Sequence, residues 1–184
     1  MILDIVKYGN PVLRTKGKKI ENIDDEIRAL AADLLETMYD ASGVGLAAQQ
    51  IGRALQVTVV DVSDAENRPS RMWIGGEEVD AKEHMPIILI NPELELDEEQ
   101  EIGTEGCLSF PEITAEIPRA AKVKVNAQDL QGHPIEFEAV GLLGRAIQHE
   151  TDHLNGILFI DRMSSATKVS LAGKLKRLAA ESKP

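Results

Sequence analysis

The run His149-Glu150-Thr151-Asp152-His153 holds two of the chain's four histidines, four residues apart, with a carboxylate beside the first. Residues i and i+4 of an α-helix are surface neighbours, so both imidazoles can reach one ion while Glu150 reaches a water bound to it. The pattern predicts a catalytic metal site and a hydrolytic reaction; an exposed helix with two histidines near acids is the bland alternative. Catalytic sites of the zinc type take three protein ligands and leave one position open. Cys107, the only cysteine, lies in Glu105-Gly106-Cys107-Leu108-Ser109, which reads as a small-residue turn. A lone cysteine often packs as a small hydrophobe, but as a thiolate it ligates well. Together with His149 and His153 it points to a Cys-His-His site.

Three blocks in this order resemble peptide deformylase: Gly43-Val44-Gly45-Leu46-Ala47-Ala48-Gln49-Gln50, then Glu105-Gly106-Cys107-Leu108-Ser109, then Gln148-His149-Glu150-Thr151-Asp152-His153-Leu154. The resemblance extends from Asn10-Pro11-Val12-Leu13-Arg14 through Leu158-Phe159, nearly the whole chain. It implies a metal-dependent hydrolase that removes the N-formyl group from the N-terminal methionine of newly made proteins, releasing formate and a free amine. Its metal is expected to be Fe(II), with Zn, Ni or Co able to substitute, since imidazole and thiolate suit all four. The resemblance assigns the side-chain amide of Gln50 and the backbone N–H of Leu108 as donors to the tetrahedral oxygen. Glu150 is placed to take the water proton and return it to the leaving amine.

Leu142, Arg145 and Ala146 lie seven, four and three residues before His149 and share its helix face, so they are candidates for a pocket around the substrate side chain. Core packing is the competing reading for Leu142 and Ala146. Val44 is expected to face the same space, and an extended peptide to pair with backbone at Gly45 and Gly106. Gln49 is given a structural role. Glu105, Ser109 and Arg119 either orient the ligand loop or form ordinary surface pairs; Arg119 is not assigned to catalysis. Two rival functions are an HExxH endopeptidase, which lacks matching glycine and cysteine blocks, and a binding module with a structural metal, which would be closed by four protein ligands.

The clearest helix begins near Asp24 or Asp25, with Ile27, Leu30, Ala31, Leu34, Leu35 and Met38 on one stripe. Two glycines after it let backbone pass close to something, either a ligand or a tight connection. Strands are expected around Val57 to Val62 and at Ile87 to Ile90, the latter ended by Asn91-Pro92; Glu93 to Glu101 reads as an exposed strand or turn. Lys122 to Asn126 and Pro134 to Ala139 form a hairpin around Asp129-Leu130-Gln131-Gly132, feeding a metal-bearing helix from about Val140 to Leu154 that stops at Asn155-Gly156. Asp64 to Glu83, with Gly75-Gly76, reads as one excursion loop, longer than the resemblance leads one to expect. The expected class is α+β, short, mostly antiparallel sheets around a central metal-binding helix, with a C-terminal helix.

A chain of 184 residues suits one catalytic domain over 1–163, with a basic tail, 164–184, belonging to it. One cysteine excludes an internal disulfide framework and suits a reducing compartment. No signal-peptide pattern and no bilayer-length apolar run are present, so no membrane association is expected. The expected location is the bacterial cytoplasm, a processed organellar form being the variant. Net charge is −11, against broad or sequence-specific nucleic-acid binding, yet the tail from Ser164 carries five cations and one acid, +4 against −15 elsewhere. The tail is read first as a solvated helix and second as a transient ribosome contact beside the N-formylmethionyl nascent peptides.

Overall fold

The computed structural model describes residues 1–182. Helix α1 spans Asp25–Asp40; the Asp24 side chain accepts a hydrogen bond from the Ile27 N–H, and Asp25 and Glu26 face the positive end of the helix dipole. It buries Ile27, Leu30, Ala31, Leu34 and Met38, whereas Leu35 is only partly covered. Then come β1 (Gly45–Ala47), a 3-10 turn (Ala48–Ile51), β2 (Val57–Val60), β3 (Ser70–Ile74), β4 (Glu77–Val79), β5 (Ile87–Leu96), β6 (Gln100–Cys107), β7 (Phe110–Ala120), β8 (Lys122–Gln128) and β9 (Pro134–Val140). Helix α2 (Gly141–Leu154) and helix α3 (Ser165–Glu181) follow. The class is α+β, as the patterns implied.

Seven strands form one antiparallel sheet in the order β1-β2-β5-β8-β9-β3-β4, and β6 pairs with β7 in a separate two-stranded sheet. Successive side chains of a strand point to opposite sides, and β2 with the start of β5 is covered on both faces, whereas β8 and β9 alternate buried with partly exposed positions. Val57, Val59 and Ile90 pack with α1, while Val60 and Leu89 pack with Leu142, Leu143, Ala146 and Ile147 of α2. A third apolar cluster, containing Leu13, Phe110, Ile113, Ile117 and Phe159, joins the smaller sheet to the segments after α2. Leu171, Leu175 and Leu178 of α3 rest partly buried on that cluster, although no residue of α3 is fully buried. The tail helix therefore has one apolar contact face and is not solvated all round.

Three local expectations are corrected. The segment taken as an excursion loop contains the β3–β4 hairpin, with Gly75 and Gly76 both at positive φ in its turn, and β3 joins the large sheet through β9. Strand β5 does not stop at Asn91-Pro92. It bulges there, its register to β8 shifting between Ile90 and Glu93, and Asn91 at φ +52 uses its amide to bind the backbone of Ile20 and the side chain of Gln128. Glu105, Gly106 and Cys107 are the end of β6, leaving Leu108 and Ser109 as the turn. Leu143 is fully buried between α2 and the sheet. Leu143→Ala is expected to destabilise the fold by about 2–5 kcal/mol, read from urea unfolding.

Candidate metal centre

Helix α2 carries His149, Glu150 and His153, and the hairpin β6–β7 carries Cys107, so the site forms where the smaller sheet meets the helix. One ligand atom each from Cys107, His149 and His153 lies within 4.8 Å of the others. Cys107 Sγ is 3.4 Å from His153 Nε2. His149 Nδ1 lies 2.8 Å from Glu105 Oε1; donating that N–H to the carboxylate leaves the Nε2 lone pair free for an ion. Burial lowers the pKa of His153, which keeps its ring neutral and able to ligate.

Glu105 is the hub. Arg119 binds it in a fork, Nε to Oε2 at 2.8 Å and Nη2 to Oε1 at 2.9 Å, and Arg145 Nη1 reaches Oε2 at 2.8 Å. Burial alone would raise its pKa, but the hydrogen bonds from Arg119 and His149 outweigh it and hold the carboxyl well below the usual carboxylate range. Arg119 Nη1 continues to Asp152 Oδ2 at 2.6 Å, and Asp152 also accepts from Arg162. The pairings weighed as ordinary surface contacts are thus interior ones: Glu105 is 6% and Arg119 4% exposed. Both were detectable. Glu105 shares a strand face with Cys107 two residues on, and Arg119 occupies an inward position in the alternation Ile113, Ala115, Ile117, Arg119.

Every residue singled out for catalysis, metal or substrate, except His153, lines one cavity of about 580 Å³. His153 lies deeper, 1% exposed. Val44, Gly45, Gly106, Leu142 and Ala146 are wall residues. Arg145 is also in the wall, but its guanidinium is bonded to Glu105, the Ile117 carbonyl and the Glu101 carbonyl, so it is held rather than free to meet a ligand. Thr104, Ile113, Thr114, Glu112 and Arg68 line the same space and carried no motif that would have marked them. Gln49 is structural, its amide bonded to the carbonyls of Thr15 and Leu154. Gln50 accepts from the Ala47 N–H at 3.0 Å, which turns its NH₂ toward Cys107 Sγ at 3.6 Å and Ser109 Oγ at 3.1 Å.

Glu150 is 5% exposed with Oε2 lacking a hydrogen-bond partner, and its Oε1 is 4.0 Å from His149 Nε2. A buried carboxyl left short of partners beside two imidazoles and a sulfur fits a site built for a cation and its water. Burial raises its pKa to about 7, partly countered by His149. The glycine loop explains how it is accommodated: a Cβ on Gly45 would lie 2.8 to 2.9 Å from Glu150 Cγ, Cδ and Oε1. The close approach expected of that loop is therefore to the protein's own carboxylate. Gly45→Ala is expected to displace Glu150 and lower turnover about a hundredfold while bound metal persists; unchanged kcat would show that the contact is not needed.

The profile described as polypeptide deformylase matches residues 2–169. A peptide deformylase of Methylacidiphilum infernorum is 49% identical over 178 residues, 97% of this chain and 93% of that one. Solved peptide deformylases from Thermotoga maritima and Thermus thermophilus superpose with TM-scores of 0.75 and 0.82, at 40% and 35% identity. The first covers 89% of this chain and 99% of its own, the second 98% and 99%. Because this likeness spans nearly the full length and the three motif blocks meet at one cavity, the chain belongs to the polypeptide deformylase family, metal-dependent hydrolases that remove the N-formyl group from nascent peptides.

Proposed function

We propose that Cys107, His149 and His153 hold one divalent ion and that Glu150 performs the proton transfers of formyl hydrolysis. A divalent ion bound there supplies Lewis acidity toward the formyl oxygen and acidifies a water. Glu150 takes a proton from the attacking water and delivers it to the leaving amine, yielding formate and a free N-terminal amine. Gln50, its amide oxygen engaged by Ala47, offers N–H donors beside the sulfur, and the Leu108 N–H in the adjoining turn is the second donor to the developing oxyanion. The single observation that carries this reading is the buried, under-partnered Glu150 carboxyl next to the three convergent ligand atoms.

The substrate side of the cavity follows from its walls. Val44, Leu142 and Ala146 line an apolar recess that suits the methionine of an N-formylmethionyl peptide, and the wall position of Gly45 and Gly106 supports our assignment of their backbone as the partner of the extended chain. We assign Fe(II) as the physiological ion, with Zn, Ni and Co as substitutes; metal analysis of anaerobically purified protein tests this. Residues 1–163 are the catalytic unit and 164–184 its tail. The bacterial relative supports a cytoplasmic location, which fractionation checks, and no helix among the described residues is long and apolar enough to cross a membrane.

Fe(II)-loaded protein is expected to release formate from N-formyl-Met-Ala-Ser and not to act on the acetylated peptide. Glu150→Gln should keep the metal and lose turnover, and Gln50→Ala should lose about a hundred- to a thousandfold. No release from metal-replete protein would overturn the assignment. The base must be ionised, so kcat/KM should fall about tenfold per pH unit below the pKa of Glu150. Burial, offset in part by His149, puts that pKa at about 7, and a bound metal cation would lower it further, so the acid limb lies at or below pH 7. A flat profile down to pH 4 would remove Glu150 from the role.

The outward cations of α3, Lys168, Lys174, Lys176 and Arg177, support a transient ribosome contact. Replacing all four by Ala is expected to abolish co-sedimentation with ribosomes and leave formyl-peptide hydrolysis intact; undiminished co-sedimentation would leave the tail with its packing role alone.

A further inference from the structure

The smaller sheet pairs with no strand of the larger one among the described residues. A backbone hydrogen bond from the Tyr8 N–H to the Ser109 carbonyl ties its turn to the N-terminal segment, while Ala121 N–H to the Glu99 carbonyl only continues its own ladder at the open end. Besides the apolar cluster around Phe110, Ile113 and Ile117, side chains of α2 fasten the sheet. Arg145, Gln148, His149 and Asp152 are spaced by three, four and seven residues and form one helix face toward the hairpin. Gln148 exchanges two hydrogen bonds with the backbone of Ala120, His149 meets Glu105, and Asp152 meets Arg119.

Arg145 has the widest reach of the four. Nη1 donates to Glu105 Oε2 on β6 at 2.8 Å and to the Ile117 carbonyl on β7 at 2.7 Å, and Nη2 donates to the Glu101 carbonyl at 2.9 Å. Between those two β6 anchors lies Gly103, where a Cβ would stand 2.9 Å from Cζ and 3.0 Å from Nε and Nη2. The guanidinium lies against bare backbone and bridges both strands. A lysine could not do this: an ammonium is a point charge, whereas the guanidinium fork holds several acceptors in fixed geometry.

We propose that Arg145 is a positioning residue for the metal centre, clamping β6 at Gly103 so that Cys107 meets His149 and His153 at ligating distance. Cys107 is four residues further along the same strand, about 13 Å, so a small tilt at the clamp is carried to Sγ. Metal sites tolerate errors of only about 0.2 Å in ligand position. The inference rests on the Cys107–His149–His153 assignment, and its test separates the two.

The probe is Co(II) bound to the full-length protein, read by its thiolate charge-transfer absorption and by the rate of Co(II) release to a chelator. Absence of the thiolate band in the unmodified protein would sink the metal assignment itself. With the band present, Arg145→Met and Gly103→Ala are each expected to shift it and to speed release about 10- to 100-fold. Arg145→Lys, which keeps the charge without the fork, should behave like Arg145→Met. Gly103→Ala keeps Arg145 in the sequence but pushes its guanidinium off the strand, and it decides the matter if Arg145→Met does not fold. Release within about twofold of the unmodified protein in the folded variants, or full recovery by Arg145→Lys, would overturn the clamp.

Discussion

A single buried carboxylate, that of Glu105, lies between two guanidiniums and an imidazole, and the geometry of the candidate metal centre depends on that arrangement. It fixes the tautomer of His149, anchors Arg119 and Arg145, and ties the strand that carries Cys107 to the helix that carries both histidines. Such networks are not strong stabilisers in themselves, since removing charges from water offsets much of their attraction. Breaking one, by contrast, costs about 3–5 kcal/mol because an unpaired charge is left inside. Their contribution here is geometric: each partner has one place to be.

Helix α2 has to satisfy two unlike neighbours. Leu142, Leu143, Ala146 and Ile147 bury against the large sheet in ordinary apolar packing. The polar face made by Arg145, Gln148, His149 and Asp152 meets the two-stranded sheet, and each of these side chains finds a partner there. Burying a polar face is tolerated only when its hydrogen bonds are made. Three buried atoms of α2 lack a hydrogen-bond partner, Glu150 Oε2, Thr151 Oγ1 and His153 Nδ1, and of the three residues only Glu150 is a carboxyl, its pKa raised by burial to about 7. An under-partnered carboxyl with a raised pKa beside three convergent ligand atoms is what supports the proton-transfer role proposed for it.

Much of this was legible in the residues, unevenly. The stripe of α1 and the hairpin β8–β9 are local patterns, and local patterns survive folding because 3.6-residue and two-residue periods are backbone properties. The hairpin at Gly75-Gly76 was hidden by its charges, Arg71, Glu77 and Glu78, and by apolar residues that do not alternate, Met72, Trp73 and Ile74 running together and Val79 standing alone in β4. Asn91-Pro92 reads as a stop because proline cannot donate to a ladder, yet a bulge absorbs it and Asn91 replaces the lost partners with its own amide. Arg145 was read as a pocket residue from its position before His149, which is true of its face and incomplete for its role, because its partners Glu101, Glu105 and Ile117 are distant in sequence.

The sequence by itself determined the chemistry available: two imidazoles and a carboxylate at helical spacing, one thiol, and a glycine loop. Those spacings translate directly into geometry because a helix has a fixed rise and turn. Only the tertiary structure decided that the thiol stands 46 residues away from its partner histidine yet 3.4 Å from it in space. It also decided that Gly45 makes room for Glu150 and that Arg145 faces a strand. Contacts between remote segments depend on how sheets and helices pack as wholes, on register, twist and side-chain volume together, and no single stretch of chain carries that information.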